Sequence, residues 1–270
     1  MAKKTTEGKE MSFLDHLEEL RWHIIRSLGA LVVFAILAFL FKNIIFDKII
    51  LAPKMPEFWT NRMMARAAEF LHMPALKINQ DPFQIINISM AGQFTTHIKV
   101  SLSVGLILGF PYLIYELWKF ISPALYENER KNSRGGLFYT SLLFFMGVLF
   151  GYFLIVPLSV HFLGGYHVSD QVQNQINLQS YIGTVTSVVL AAGLIFELPV
   201  LIYFLSKIGI VTPQWLKKYR RHAIVVTLLV AAIITPPDIF SQVLVCLPLI
   251  VLYEAGIVIS RRVNKKREAI

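Results

Sequence analysis

Charge is scarce in this sequence. Only 16% of its 270 residues are Asp, Glu, Lys or Arg, against about a quarter in an ordinary soluble domain. Hydrophobic residues make up 55%, and they come in long blocks instead of at helical or strand spacing. That pattern excludes a soluble globule and describes an all-α polytopic membrane protein. Cysteine is nearly absent: Cys246 stands alone inside an apolar run, which excludes a disulfide framework and a zinc cluster. The N-terminal stretch MAKKTTEGKEMSFLDHLEEL lacks the apolar core of a cleavable signal peptide, so the first apolar block is expected to remain as a span. No His-Glu-x-x-His, no paired mid-span aspartates and no Ser–His couple fall within the blocks. The chain is accordingly not read as an enzyme, and no catalytic residue, metal or cofactor is assigned. Internal repeats are also missing, and 1–270 is taken as a single domain.

A bilayer core takes about 20 apolar residues per helix. Blocks at about 24–45, 98–118, 136–158 and 181–206 meet that length; those at about 222–235 and 240–259 are tighter. The sequence therefore predicts six transmembrane helices, the fifth closed after a short run by Pro236-Pro237. The net charge of +9 fits membrane topology instead of nucleic acid, because the basic residues flank the blocks. Of 26 Lys and Arg, 19 fall in the N-terminal segment, the second and fourth loops and the C-terminal tail, whereas 159–180 and 236–239 have none. The bias of basic residues toward the inner face places both termini in the cytoplasm. Pro111, Pro157, Pro199 and Pro248 lie inside or at the end of blocks, so several helices are bent, and together they predict a curved, concave bundle. The outer loop 46–97 contains PEFWTNRMMARAAEFLHMP, whose apolar positions recur at helical period up to Pro74. An interfacial helix at the outer surface and a cap packed on the other helices both satisfy that pattern.

One acid stands out. Glu197 lies in GLIFELPVLI, with no Lys or Arg within nine residues on either side. An ionisable residue in mid-span marks a functional position by default, with helix-to-helix hydrogen bonding as the structural alternative. Elsewhere the acids have ordinary explanations. Asp15, Glu18 and Glu19 line a helix that starts near a Ser12 cap; Asp238 is placed to cap the sixth helix; Glu254 is within reach of the interface, or of Arg221 or His222 as a partner.

Four stretches then stand in order: HLEELR at 16–21, GFPYLIYELWKFISPALYENERK at 109–131, FELPV at 196–200 and TPPDIFSQ at 235–242. Over roughly 12–260 the chain closely resembles the TatC family, the multispanning core of the twin-arginine protein translocase. The resemblance implies a receptor for twin-arginine signal peptides and the core of a translocase that exports folded proteins across the cytoplasmic (inner) membrane, driven by the proton-motive force. It implies a shape like a cupped hand, with short fifth and sixth helices. Partners implied are TatA-like and TatB-like single-span proteins, precursors with twin-arginine signals, membrane lipid and further copies of the chain, with no nucleic acid. By motif position, Glu19 and Glu129 match the family's signal-binding acids, and Arg21 and Phe120 its receptor surface. Glu197, Pro53, Asp238 and Gln242 match features near partner-helix contacts. Loop 46–97 departs from the family in its length and its added helix, and SMAGQFTTHIK lacks the acid that many members carry before the returning helix. A rival reading takes Glu197 as the proton site of a secondary transporter.

Overall fold

The first and second long helices meet more closely than ordinary side chains permit. Helix α1, Phe13–Leu40, lies along α3, Gly92–Ile121, and a Cβ added at Gly105 would stand 2.8 Å from the backbone nitrogen of Ala35. Lipid gives apolar side chains little reason to associate, so close backbone approach between small residues is what holds such pairs. The computed structural model describes residues 13–121, 133–169, 171–172, 174–235 and 239–268. A short helix α2, Trp59–Phe70, follows α1 in the outer loop. Beyond α3 come α4, Ser133–Phe150, and α5, Val156–Gly165, joined by a π-helical turn at Gly151–Ile155. Next are α6, Leu178–Phe196, and α7, Leu198–Lys207; then α8, Pro213–Lys218, α9, Arg220–Ile234, and α10, Ile239–Glu268.

Among the described residues, five segments are long and apolar enough to cross a bilayer: His16–Leu40, Gly92–Ile121, Gly136–Gly165, Leu178–Lys207 and Gln242–Lys265. The remaining span is α9. Its 15 residues extend roughly 22 Å at the usual rise, well short of a hydrocarbon core of about 30 Å. Such a mismatch is met by local thinning or by neighbouring helices. The sixth helix is not short, in contrast to what the resemblance implied. It runs for 30 residues, because its basic end, through Arg261, Arg262 and Lys265, continues the helix. Lys and Arg are good helix formers, so charge there ends the apolar block without ending the helix. The main core gathers Val100, Ile155, Val156, Ile182, Val185 and Phe196, where α3, the π turn, α5 and α6 meet.

Two of the four prolines show how a bent helix is made tolerable. Pro157 has no N–H to offer the carbonyl of Phe153, four residues earlier. That carbonyl instead accepts the hydroxyl of Thr60, a fully buried residue of α2. At the second site, α6 stops at Phe196 and α7 restarts at Leu198-Pro199, with Glu197 at the joint. Helix α2 thus packs on the bundle through Phe58, Thr60, Asn61 and Ala68, and Phe58 stacks on Phe153 at 5.5 Å. Its other edge leaves Trp59, Met63 and Phe70 exposed, as a helix facing the headgroup region would. It ends at a left-handed His72 (φ 53°), before Pro74 is reached.

The same loop is secured by a buried amide pair. Asn61 Nδ2 donates to the carbonyls of Pro53 (2.9 Å) and Met55 (2.7 Å), while Asn79 Nδ2 donates to Asn61 Oδ1 (3.2 Å) and to the carbonyl of Pro157 (3.0 Å). Lys54 donates to the carbonyl of Phe83 at 3.1 Å, and burial lowers its ammonium below the ordinary lysine range. A two-residue parallel ladder, β1 (Ile85–Ile86) with β2 (Ile176–Asn177), ties this loop to the next outer segment. Thr60→Val keeps the shape and strands the Phe153 carbonyl. Losing that partner is expected to cost about 1–3 kcal/mol, read as a lower unfolding midpoint of the purified protein.

Candidate functional site

At the cytoplasmic end of the α1–α3 pair, two stripes face each other. Glu19, His23 and Arg26 recur at helical spacing on α1; Tyr112, Glu116 and Phe120 do so on α3. His23 and Glu116 are buried, at 4% and 2% exposure, and the imidazole Nδ1 meets Glu116 Oε2. An ionised carboxylate only accepts, so with Glu116 ionised it is the Nδ1–H of His23 that donates. The Tyr112 hydroxyl donates to Glu116 Oε1 at 2.8 Å, and Arg26 Nη1 approaches Oε2 at 3.8 Å. The buried carboxylate therefore has partners on both oxygens, the condition under which a charge survives away from water.

This buried group supports the exposed one. His23 Nε2 lies 3.9 Å from Glu19 Oε1, whose side chain is 35% exposed. Phe120 is stacked on His16 (ring centroids 4.5 Å) and meets His23 edge-on at 6.0 Å. Glu19 and Phe120 are thus brought to one imidazole, giving a carboxylate and an aromatic face side by side. Arg21 is not part of that group. Two positions along a helix turn it about 200° from Glu19, and it pairs with Glu18 at 3.6 Å and lies over Trp22. Glu129, the other acid assigned to signal binding, lies outside the described residues, as does Asp238.

Neither Glu116 nor His23 was singled out from the sequence. The available signal was the spacing Tyr112–Glu116–Phe120, which puts the acid on the same face as the expected aromatic.

Glu197 sits differently. It lies between α6 and α7, its backbone N–H donating to Leu194 at 3.1 Å and its carbonyl accepting from Val200 and Leu201 at 2.9 Å. The side chain is 9% exposed, and its Oε1 is buried without a hydrogen-bond partner. Among the described residues, two carboxylates are thus buried within spans, one satisfied by its own chain and one left with an open oxygen. Among the other residues assigned to partner contact, Gln242 lies on α10 and its Nε2 donates to the Leu228 carbonyl of α9 at 3.2 Å. Pro53 is fully buried and its carbonyl receives both asparagines, so it shapes the outer loop from beneath. Glu254 pairs with neither Arg221 nor His222. Arg220 takes it instead, Nε and Nη2 meeting its two oxygens, the parallel arrangement that guanidinium favours.

A model of the family TatC, described as Sec-independent protein translocase protein (TatC), matches residues 15–248. A Sec-independent protein translocase protein TatC of Blattabacterium sp. subsp. Periplaneta americana (strain BPLAN) is 40% identical over 263 residues, covering 97% of this chain and 99% of that one. Its counterpart in Aquifex aeolicus (strain VF5) is 33% identical over 261 residues, covering 96% and 99%. Two crystal structures of the twin arginine translocase receptor TatC superpose. One gives a TM-score of 0.64 at 32% identity, covering 92% of this chain and 99% of that one; the other, in DDM, gives 0.67 at 33%, covering 90% and 97%.

Proposed function

This chain belongs to the TatC family, and on that premise we propose that it receives twin-arginine signal peptides at the cytoplasmic end of α1 and α3, as the core of a translocase that moves folded proteins across the membrane on the proton-motive force. The observation that carries the placement is Glu19 and Phe120 set around one imidazole, that of His23, whose other nitrogen meets buried Glu116. Guanidinium pairs best with carboxylate through two parallel hydrogen bonds. Neighbouring residues of an extended peptide point in opposite directions, so two arginines need acids from two elements. Glu19 supplies one and Glu129, from the loop after α3, the other. Phe120 offers an apolar contact beside them. Arg21, paired with Glu18 on another face, serves the rim of this surface.

Glu197 takes the second role. Its open carboxyl oxygen sits at a helix break within the membrane, where a polar group on a single-span TatA-like or TatB-like helix satisfies it. Gln242 and Pro53, and Asp238 by its motif position, are assigned to the same kind of contact. Membership in a translocase family removes the reason for reading Glu197 as the proton site of a solute transporter.

Site-specific photocrosslinking of a precursor in native membranes tests the receptor site. The twin-Arg signal is expected to crosslink near Phe120 at least tenfold more than a twin-Lys version, since each charged hydrogen bond to carboxylate is worth about 1.5–3 kcal/mol. Glu129→Ala is expected to abolish that difference. Equal crosslinking of both signals to the parent protein would remove the reading.

A further inference from the structure

At the cytoplasmic ends of the last helices, α8 and the basic end of α10 enclose two adjoining clefts. One, of about 180 Å³, is lined by Pro213, Gln214, Lys217, Arg261, Asn264 and Lys265. The other, of about 380 Å³, shares Lys217 and Arg261 and adds Arg220, Glu254 and the apolar floor of Ile257 and Val258. Four cations thus face a single carboxylate, and Arg220 has already neutralised it. Among the described residues Arg261 and Lys265 have no ion-pair partner, and the clefts keep a positive excess. The walls are fixed. Tyr253 donates to the Leu216 carbonyl at 2.8 Å, Ser206 bonds Ser260 at 2.7 Å, and Ile202, Val211, Leu216 and Ile257 form a small core behind them.

The surroundings set the depth. Trp215 and Tyr219, with rings 4.8 Å apart, are exposed beside the clefts, and Ile208 and Ile210 are exposed on the adjoining loop. Exposed Trp and Tyr sit at headgroup level, so these clefts open where lipid phosphates lie. From Val258 an exposed apolar strip continues along α10 through Val251 and Leu247, toward the bilayer centre. A free anion has no use for that strip, whereas an acyl chain does.

We infer that the Lys217–Arg261–Lys265 clefts are a binding site for the phosphodiester headgroup of an anionic phospholipid, whose acyl chain follows Val258, Val251 and Leu247. Basic pockets beside membrane helices recognise such headgroups, each Lys or Arg contributing about fivefold in affinity. The site is separate from Glu19 and Glu197, and stands whether or not the receptor reading does.

Native mass spectrometry of the purified full chain in detergent, offered equal phosphatidylglycerol and phosphatidylcholine, tests it. The parent protein is expected to retain phosphatidylglycerol preferentially, and Lys217→Gln and Arg261→Gln each to reduce that preference by about fivefold. Lys218→Gln and Arg262→Gln, which remove charge nearby but not from the cleft lining, are expected to leave it unchanged. Val258→Asn, which keeps the charges and blocks the apolar strip, is expected to weaken retention as well. No preference in the parent, or an equal loss in the Lys218 and Arg262 variants, would overturn the proposal. So would displacement by excess inorganic phosphate, which would identify a free-anion site. A cleft variant that fails to fold is replaced by Lys217→Arg or Arg261→Lys, each expected to retain the preference; its loss in these charge-preserving forms would also count against the assignment.

Discussion

Glu116→Ala is expected to destabilise the isolated protein by about 3–5 kcal/mol, the usual cost of leaving half of a buried ion pair behind. The change strips His23 and Arg26 of their shared carboxylate and Tyr112 of its acceptor. It also frees the imidazole around which Glu19 and Phe120 are set. Capture of a twin-arginine signal is therefore expected to fall with stability, even though Glu116 itself is buried beneath the surface offered to the peptide. Glu116→Gln keeps an acceptor for one partner and should cost less. Chemical unfolding of single and double variants in detergent checks this. If His23 and Glu116 act as a unit, the double alanine variant is expected to be little worse than the worse single one, with a coupling above about 1 kcal/mol. Additive losses would show that the two side chains stabilise the helices independently.

Glu197→Ala is expected to give the opposite combination. The isolated chain carries an oxygen of this side chain buried and unbonded, a state that costs about 1–3 kcal/mol on mutational scales. Removing it relieves that penalty and leaves a small cavity, so unfolding stability should change by less than about 1 kcal/mol. Association with a single-span partner is expected to fall sharply, because the group that supplied the hydrogen bond is gone. The two readouts are measured side by side: unfolding of the purified chain, and disulfide or photochemical crosslinking to the partner helix in membranes. A strong loss of stability without the partner would mean that Glu197 serves the fold. Normal crosslinking by the variant would mean that the partner does not meet it. Glu197→Gln, which can still donate and accept, is expected to retain much of the association.

These two acids show how far sequence reading reaches. Glu197 was legible because nothing charged surrounds it within nine residues, and contrast along the chain is a one-dimensional signal. Glu116 was not, because its partner His23 lies 93 residues away and no contrast along the chain singles it out. The pairing of Glu254 was misassigned by one residue for a related reason. Arg220 and Arg221 are equivalent as sequence, yet they point 100° apart once α9 exists, and only Arg220 meets the carboxylate. The sixth helix was cut short for another reason: hydropathy marks where the membrane ends, and a helix of Lys and Arg continues past that boundary.

The sequence by itself determined the solvent, the number and sides of the spans, the proline positions and the family. Each is set by composition, by charge flanking apolar blocks, or by ordered motifs, all of which depend on neighbours along the chain. Only the tertiary structure decided which buried charges are satisfied and which is left open. Thr60 capping the carbonyl freed by Pro157, Glu116 enclosed by His23, Tyr112 and Arg26, and Glu197 with an unpaired oxygen are outcomes of contact between distant segments. Hydrogen bonds and ion pairs act over a few ångströms, and no spacing along the chain fixes a distance that short between helices that meet only on folding.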